Sequence, residues 1–160
     1  MMAWVGTRLS SANSGSRTSW TADPDGGGFT RGKPFRPLSE NVSTHNVAAE
    51  RGDPKSIYAF YKTMLRLRNS LPSIARGSYE APHVDGQAMS YQRKLGAERT
   101  VVAINYGTSN AAIELAGLPA DARVAAIYPN EGKKLMVADP AGVARVVLAP
   151  QSVRVWKVLP

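Results

Sequence analysis

The fold is decided by one stretch of sequence, Thr100-Val101-Val102-Ala103-Ile104-Asn105-Tyr106. It is almost continuously apolar and rich in β-branched residues, which suits a central strand that is buried on both faces. Stretches in which apolar and polar residues alternate lie on either side of it, at 89–94 and at 111–115. A period of two predicts strands. The middle of the chain therefore predicts a β-sheet.

Further short strands are predicted between this sheet and the end of the chain. Turn signals separate them, such as Gly117, Pro119 and the pair Ala149-Pro150. Six or seven short strands at this spacing, with no helical period between them, predict an antiparallel sandwich or barrel. The remaining predicted strands are 124–128, 143–148 and 152–158.

One helix is predicted before the strands, at residues 53–71. Asp53 is a good N-cap, Pro54 fits the first helical position, and Pro72 ends the element. The apolar arc is broader than that of a surface helix with one neighbour, so we expect the helix to pack against two bodies. The arc contains Ile57, Tyr58, Phe60, Tyr61, Met64, Leu65, Leu67 and Leu71.

Arg68 projects into the middle of this apolar arc. One interpretation is a stem that packs on apolar neighbours and a charged head that reaches solvent. The other is a buried ion pair with a carboxylate across an interface. The helical pattern is compatible with both.

The predicted fold class is mainly β, an antiparallel β-sandwich preceded by an irregular arm and one long α-helix. The arm comprises residues 1–52, which are rich in Ser, Thr, Gly, Pro and Asn and contain only isolated large apolar residues. The helix comprises 53–72 and the sandwich 75–160. An arm of this length is unusual inside a compact domain, so it is either disordered or lies over another body.

Composition excludes several classes of protein. The chain has no cysteine, which excludes disulfides and thiolate chemistry and fits a reducing compartment such as the cytoplasm. No apolar run approaches the roughly 20 residues that span a bilayer, and the N-terminus resembles no secretory signal, so no membrane partner is predicted. The net charge is +8, but the basic residues are spread from Arg8 to Lys157 without a basic block. We therefore expect no nucleic acid partner.

Metal and phosphate sites are not predicted, and neither is any cofactor. His45 and His83 are far apart and have no carboxylate at metal-ligand spacing. Gly27 and the pair Gly32-Lys33 match the glycine spacing of a phosphate loop, but Pro34 stands where the loop needs Ser or Thr. No Gly-x-Ser-x-Gly elbow is present.

Carboxylates in the arm and at the start of the helix are candidates for calcium ligands or for an acid and nucleophile pair. The stretch Asp23-Pro24-Asp25-Gly26 lacks the closing Glu of a calcium loop, so a plain turn is predicted. Neither Asp23 with Asp25 nor Glu50 with Asp53 lies in a segment that predicts the rigid cleft of a glycosidase.

Aromatic side chains offer another route to sugar binding, because their rings can stack on a pyranose. The candidates are Trp20, Tyr79 and Trp156. Trp156 lies in the last predicted strand, so we expect it in the core.

The order of residues resembles the C-terminal third of an α-glucosidase or oligo-1,6-glucosidase of glycoside hydrolase family 13, the α-amylase family. Roughly residues 17–110 carry the resemblance. The matching residues are Arg17-Thr18, Trp20, Gly28-Phe29-Thr30, Lys33-Pro34-Phe35, Pro37, Asn41, Asn46 to Ala49, Asp53-Pro54, Ser56-Ile57, Tyr61, Leu65, Leu67-Arg68, Pro72, Gly77, Tyr79, Val101-Val102 and Ile104-Asn105.

The resemblance implies a TIM barrel that carries the active site, followed by a C-terminal sandwich. Residues 17–52 are similar to the loop after the eighth barrel strand, and 53–71 to the eighth barrel helix. The catalytic nucleophile, the acid/base Glu and the stabilising Asp of the family lie upstream of the matching residues, so no catalytic residue is predicted here. Arg17 occupies the position of a family arginine near the sugar-binding cleft and is the one predicted substrate contact.

The resemblance predicts a fragment of an α-glucoside or α-glucan hydrolase without turnover of its own, with α-glucosides or maltooligosaccharides as ligands. The alternative is a free-standing carbohydrate-binding or interaction module. A small enzyme with an improvised site would need two carboxylates facing one pocket. An uncovered helix flank predicts self-association through residues 1–71, either as a dimer or by domain exchange.

Overall fold

The structure is a computed structural model that describes residues 19–130 and 135–159. The chain divides into two compact units, and the division falls between Arg66 and Leu67, inside a helix.

The C-terminal unit is an antiparallel β-sandwich, which confirms the predicted fold class. Its described strands form a six-stranded sheet in the order β1-β2-β3-β8-β5-β6 and a two-stranded sheet of β4 and β7. The strands are β1 Ser78–Asp85, β2 Ala88–Leu95, β3 Glu98–Asn105, β4 Ala111–Leu115, β5 Arg123–Tyr128, β6 Leu135–Val137, β7 Ala144–Leu148 and β8 Ser152–Val158.

The stretch that decides the fold forms β3, which lies between β2 and β8. The strands expected at 111–115, 124–128, 143–148 and 152–158 are also present. Two strands were not in the predicted set. β6 has three residues, too few to show a period, and β1 is interrupted by a bulge between Glu80 and His83 that contains Pro82.

The bulge in β1 lies on an edge strand, because β1 pairs only with β2 among the described strands. Ala81, within the bulge, has φ 46°, a left-handed conformation that residues with a side chain rarely adopt. Bulges and prolines are common on edge strands, where they interrupt the ladder of hydrogen bonds.

The core lies between the two sheets. Trp156 is 2% exposed and packs in this core, as predicted from its place in the last strand. The main apolar residues of the core are Ala88, Val101, Ala103, Val124 and Trp156 from the large sheet, and Ile113, Leu115, Ala144 and Leu148 from the small sheet.

Polar side chains on β2 also join the two sheets. Ser90 Oγ donates to the carbonyl oxygen of Glu114 at 2.5 Å, and Gln92 Nε2 donates to that of Ala116. Both side chains are 1% exposed. Arg99 Nη1 donates to Gln92 Oε1 at 2.8 Å and to the carbonyl of Gly117 at 2.6 Å. These bonds satisfy backbone oxygens at the end of β4.

Asn105, at the end of β3, joins two loops through one buried amide. Its Nδ2 donates to the carbonyl oxygens of Ser109 and Ala149, at 2.8 and 2.9 Å. Its Oδ1 accepts from the Gly107 amide at 2.8 Å. The side chain is 1% exposed, so water cannot replace these partners.

A short helix, Pro72–Arg76, packs on β2 and β3 in the same unit. Its N-cap residue, Leu71, has no side chain that can cap, and Glu98 of β3 supplies the acceptor instead. Glu98 Oε1 accepts from the Ser73 amide at 2.7 Å, and Ser73 Oγ lies 2.7 Å from Thr100 Oγ1. The hydrogen bond from the Ser73 backbone, followed by that from its side chain, lowers the pKa of Glu98.

The N-terminal unit begins with residues predicted as an irregular arm, and a helix forms within them. This helix, α1, spans Val47–Gly52. The helix Ile57–Ser70 follows as α2, and the short helix Pro72–Arg76 that packs on β2 and β3 is α3. The first amides of α1, on Val47 and Ala48, donate to the carbonyls of Ser19 and Trp20, each at 3.0 Å. Asn46 caps α1 by accepting from the Ala49 amide at 2.9 Å. The arm is therefore hydrogen-bonded to the start of α1.

The long helix, α2, spans Ile57–Ser70, so the prediction that Asp53 caps it is wrong. Asp53 Oδ1 accepts from the Lys55 amide at 2.8 Å, which forms a local turn, and the Asp53 amide closes α1 by donating to Glu50. Ser56 provides the cap instead, because its Oγ accepts from the Ala59 amide at 3.1 Å.

No residue of α2 is buried, and Ile57, Tyr61 and Leu65 are more than half exposed. The expectation that this helix packs against two bodies stays a prediction, because one of those bodies is the barrel that the resemblance implies. Arg68 is exposed, which agrees with the interpretation that its head reaches solvent. Leu71 is 8% exposed, because it lies at the junction with α3 and not on a free flank.

We expect Asn105→Ala to lower the free energy of unfolding of the sandwich by about 3 kcal/mol, because three buried backbone groups lose a partner. Urea denaturation followed by tryptophan fluorescence measures this loss. The matched control is Asn110→Ala at an exposed position. An equal, small effect of both variants would contradict the role of the Asn105 amide.

We expect Glu98→Gln to destabilise the sandwich only where Glu98 of the wild type is ionised. Because folding lowers its pKa from an ordinary value of 4.5, the extra stability is fully present above about pH 4.5 and is lost as pH falls through the lower folded pKa. Glu98 is half-buried and solvent partly screens its charge, so the loss at neutral pH is about 1 kcal/mol or less. Urea midpoints of both proteins between acidic and neutral pH test this. A difference that grows towards acid would contradict it, and the exposed Asp85→Asn is the control.

Candidate functional site

One cleft of about 500 Å³ opens on the sandwich between the end of β1 and the two-stranded sheet. Two carboxylates and an imidazole line it. The lining residues are His83, Val84, Asp85, Ala112, Ile113, Glu114 and Arg145.

Two of the charged groups of this cleft, Arg145 and Glu114, form a surface ion pair. Arg145 donates to Glu114 Oε1 from Nη2 at 2.8 Å and from Nε at 3.0 Å. The two side chains are 72% and 39% exposed, respectively. A glycosidase needs an acid and a nucleophile on either side of a shaped, partly dry cleft. Glu114 is exposed and already accepts two hydrogen bonds from the Arg145 guanidinium, so it does not provide the general acid of a glycosidase. The cleft therefore does not support the hypothesis of a small enzyme with an improvised site.

The structure also describes no metal centre. Among residues 19–130 and 135–159, no three His, Asp or Glu side chains are arranged to hold an ion. His45 is exposed and its Nδ1 lies 2.8 Å from Thr44 Oγ1, as expected of a polar loop residue.

The acidic turn of the arm is a plain turn, as predicted. Asp23 accepts from the amides of Asp25 at 3.0 Å and Gly26 at 3.1 Å. A side chain at position 26 would collide with the carbonyl oxygen of Thr30, which explains why glycine is required there. The Asp23 carboxylate is therefore used within its own loop.

The second carboxylate pair of the arm supports helix ends. Glu50 Oε2 accepts from the Tyr58 amide at 3.2 Å, at the start of α2, where a negative charge stabilises the helix. Asp53 accepts from the Lys55 amide, as described above. Both groups have backbone partners, so the structure assigns them structural roles. The Gly32-Lys33 segment is followed by bends and not by a helix.

The three aromatic candidates differ in exposure. Trp156 is buried in the core and cannot reach a ligand. Trp20 is 49% exposed and contacts Phe29 edge to face, with 5.9 Å between ring centroids. Tyr79 is 51% exposed and lies against Tyr91, with 4.8 Å between centroids and 33° between ring planes.

Tyr91 was not among the predicted site residues. Its contact with Tyr79 depends on the register of β1 and β2, where Tyr79 pairs with Arg93. The sequence pattern places Tyr91 on a predicted strand, but it predicts no strand at Tyr79 and does not align one strand with another. The sequence offered one indication: Tyr91 and Arg93 are two residues apart in a strand, so their side chains lie on the same face of the sheet.

Arg17, the predicted substrate contact, lies outside the described residues. Within those residues, no helix is both long enough and apolar enough to cross a membrane.

Comparison with known proteins agrees with this architecture. The family model described as "Alpha amylase, catalytic domain" matches residues 6–77, and the match ends one residue before β1 begins at Ser78. A probable oligo-1,6-glucosidase of Bacillus subtilis (strain 168) is 31% identical over 148 residues, which cover 90% of this chain and 25% of that protein. A probable α-glucosidase of Rhizobium meliloti (strain 1021) is 32% identical, over 60% of this chain and 17% of its own.

Solved structures agree as well. The trehalulose synthase MutB of Pseudomonas mesoacidophila MX-45 superposes with a TM-score of 0.71 at 27% identity, over 90% of this chain and 25% of its own. This chain thus spans a quarter or less of the length of the relatives that it matches.

The fold and these matches make the chain similar to proteins of the α-amylase family of glycoside hydrolases. The resemblance to the C-terminal part of an α-glucosidase or oligo-1,6-glucosidase is confirmed.

Proposed function

We propose that this chain is the C-terminal part of an α-glucoside hydrolase and that it contributes structure and not catalytic groups. The observation that carries the proposal is the extent of similarity, which covers 90% of this chain but a quarter of the relative. The parent activity is hydrolysis of α-glucosidic bonds with retention, by a nucleophile and an acid/base carboxylate.

The proposed domain division follows the family match. Residues 1–52 are the barrel loop, 53–72 the last barrel helix and 75–160 the sandwich. Two observations support this division: the catalytic-domain match ends at Gly77, and the first strand begins at Ser78. Arg17 is the proposed contact to the sugar, by its place in the family motif.

The proposal that this chain alone has no turnover is supported by the hydrogen-bond partners of four of its carboxylates. Asp23, Glu50 and Asp53 accept from backbone amides, and Glu114 accepts from Arg145. The resemblance places the catalytic carboxylates of the family upstream of the matching residues. The ligands proposed for the parent are α-glucosides and maltooligosaccharides, since the relatives are named as α-glucosidases and oligo-1,6-glucosidases.

Self-association through residues 1–71 remains part of the proposal. Ile57, Tyr61 and Leu65 of α2 are 51%, 62% and 55% exposed, and Phe60 is 38% exposed. Apolar side chains that cluster on one helix face favour association with a second copy.

We expect the purified chain to release no 4-nitrophenol from 4-nitrophenyl α-glucoside above the rate of its own Asp85→Asn, Glu114→Gln double variant. In the same assay, a chimera tests the scaffold role. It is the B. subtilis relative with its sandwich replaced by residues 78–160 of this chain, and it should retain kcat/KM within about tenfold, or ~1.4 kcal/mol, of its parent. Turnover by the chain that the double variant abolishes would contradict the proposal, as would a folded but inactive chimera.

We expect light scattering to show a dimer, or larger assemblies, that the variant Leu65→Lys shifts towards the monomer, because a charge on the exposed apolar face opposes its burial. Val147→Lys, on an exposed strand position of the sandwich, is the matched control and should leave the mass unchanged. A wild-type monomer at all concentrations would contradict self-association.

A further inference from the structure

The sequence contains two pairs in which aspartate precedes glycine, Asp25-Gly26 and Asp85-Gly86. Such a pair can rearrange, because glycine has no side chain to hinder the attack of its amide nitrogen on the preceding carboxyl group. The product is isoaspartate, in which the main chain runs through the side-chain carbon atoms. The reaction is favoured by a glycine amide without other partners and by a segment that can open, and the two pairs differ in their surroundings.

The amide of Gly26 is held within its own loop. It donates to Asp23 Oδ2 at 3.1 Å, and Gly26 is buried. The acceptor is itself fixed, since Asp23 Oδ1 accepts from the Asp25 amide at 3.0 Å. To attack Asp25, the Gly26 nitrogen must give up a hydrogen bond to a charged group, which is among the stronger kinds.

The amide of Gly86 has no such partner. Asp85 and Ala88 are the last pair of the β1–β2 hairpin, so Gly86 and Gln87 form its two-residue loop, and residues 85–87 are exposed. Among the residues that the structure describes, neither the Gly86 amide nor the Asp85 carboxylate makes a hydrogen bond. Apart from its chain neighbours, nothing lies within 4 Å of the position that a Cβ on Gly86 would take. The nitrogen and the carboxyl group are therefore free to react.

The end of β1 that carries Asp85 is also placed to open locally. β1 is an edge strand that pairs with β2 alone among the described strands, and its ladder is interrupted between Glu80 and His83. Exposed backbone hydrogen bonds open more readily than those of the core. Local opening lets the Asp85 side chain turn towards the Gly86 nitrogen.

We propose that Asp85 is a site of isoaspartate formation and that Asp25 is protected from it. The Gly86 nitrogen bonds to Asp85 Cγ, its proton passes to solvent, and one protonated carboxyl oxygen leaves as water, which gives a five-membered cyclic imide. Water then opens this ring. Opening at the main-chain carbonyl yields isoaspartate, and opening at the side-chain carbonyl returns aspartate. One water is lost and one is gained, so no further reactant is needed.

The rearrangement alters the hairpin loop and the cleft beside it. It adds one carbon atom to the main chain between Asp85 and Gly86, close to Ala88, which is 1% exposed in the core. The Gln87 carbonyl, which accepts from the Tyr106 amide at 2.9 Å, lies within the altered loop. The carboxylate becomes attached directly to Cα, so one of the acidic groups that line the cleft changes its position while the net charge stays the same.

The test is incubation of the folded full chain at neutral pH and physiological temperature for several weeks, followed by peptide mapping that separates isoaspartyl from aspartyl peptides. The rate at each site is divided by that of a synthetic peptide with the same sequence, residues 20–30 or 80–90, which removes the effect of local sequence. We expect this relative rate to be about tenfold higher at Asp85 than at Asp25, because only Gly26 must first lose a hydrogen bond to a charged group.

Two variants test the cause of the difference. Asp23→Ala frees the Gly26 amide, so isomerisation at Asp25 should rise towards the rate of its peptide while that at Asp85 stays unchanged. Asp85→Glu keeps the negative charge but can close only a six-membered ring, which forms more slowly. The isomerised peptide from the hairpin loop should therefore disappear in Asp85→Glu, and the peptide that contains Asp25 should be unaffected.

The inference is overturned if the folded chain forms no isoaspartate at Asp85 while the reference peptide does, or if both sites have the same relative rate. An unchanged rate at Asp25 in Asp23→Ala overturns the protection of that site by its hydrogen bond. An isomerised loop peptide that persists in Asp85→Glu overturns the assignment to Asp85. The measurement involves neither sugar nor hydrolysis, so its outcome is independent of the proposed function.

Discussion

The sandwich depends on how the small sheet is held to the large one. A two-stranded sheet is marginally stable by itself, so β4 and β7 need the large sheet to fix their position. Apolar contacts around Leu115 and Trp156 provide most of the attraction, but they are not directional. The hydrogen bonds of Ser90 and Gln92 to the carbonyls of Glu114 and Ala116 are directional, and they set the position of β4 along the sheet. Once β4 is fixed, its antiparallel register fixes β7 and the cleft beside β1.

The junction between the helices and the sandwich is equally constrained. A side chain at Gly77 would collide with the carbonyl oxygens of Ser73 and Lys94, so α3 can approach β2 only because this residue is glycine. Glu98 then supplies the cap that Leu71 lacks, and the Ser73 hydroxyl meets that of Thr100. The same junction is where the match to a catalytic domain stops. The segment that matches the catalytic domain therefore gives way to the sandwich at a tightly packed contact.

Much of the fold can be predicted from local sequence pattern. The continuous apolar run at β3 and the apolar residues of β8, which include the buried Trp156, indicate buried strands without any further information. The predicted start of α2 was wrong. Asp53 and Pro54 are typical residues for the start of a helix, but Asp53 instead forms a turn by accepting from the Lys55 amide. The β1 strand was harder to recognise, since its bulge breaks the alternation. The Tyr79–Tyr91 contact required strand register, a non-local property that one sequence does not encode in its spacing. The resemblance identified the family, but the roles of Glu50 and Glu114 emerged only from their hydrogen-bond partners.

The irregular backbone of β1 has a consequence for the behaviour of the sandwich in concentrated solution. Ala81 in a left-handed conformation and Pro82 without an amide proton leave this border strand unable to offer a continuous row of donors and acceptors. A neighbouring molecule cannot add a strand there and start a fibril. The β1 edge of the large sheet is thereby protected from strand addition.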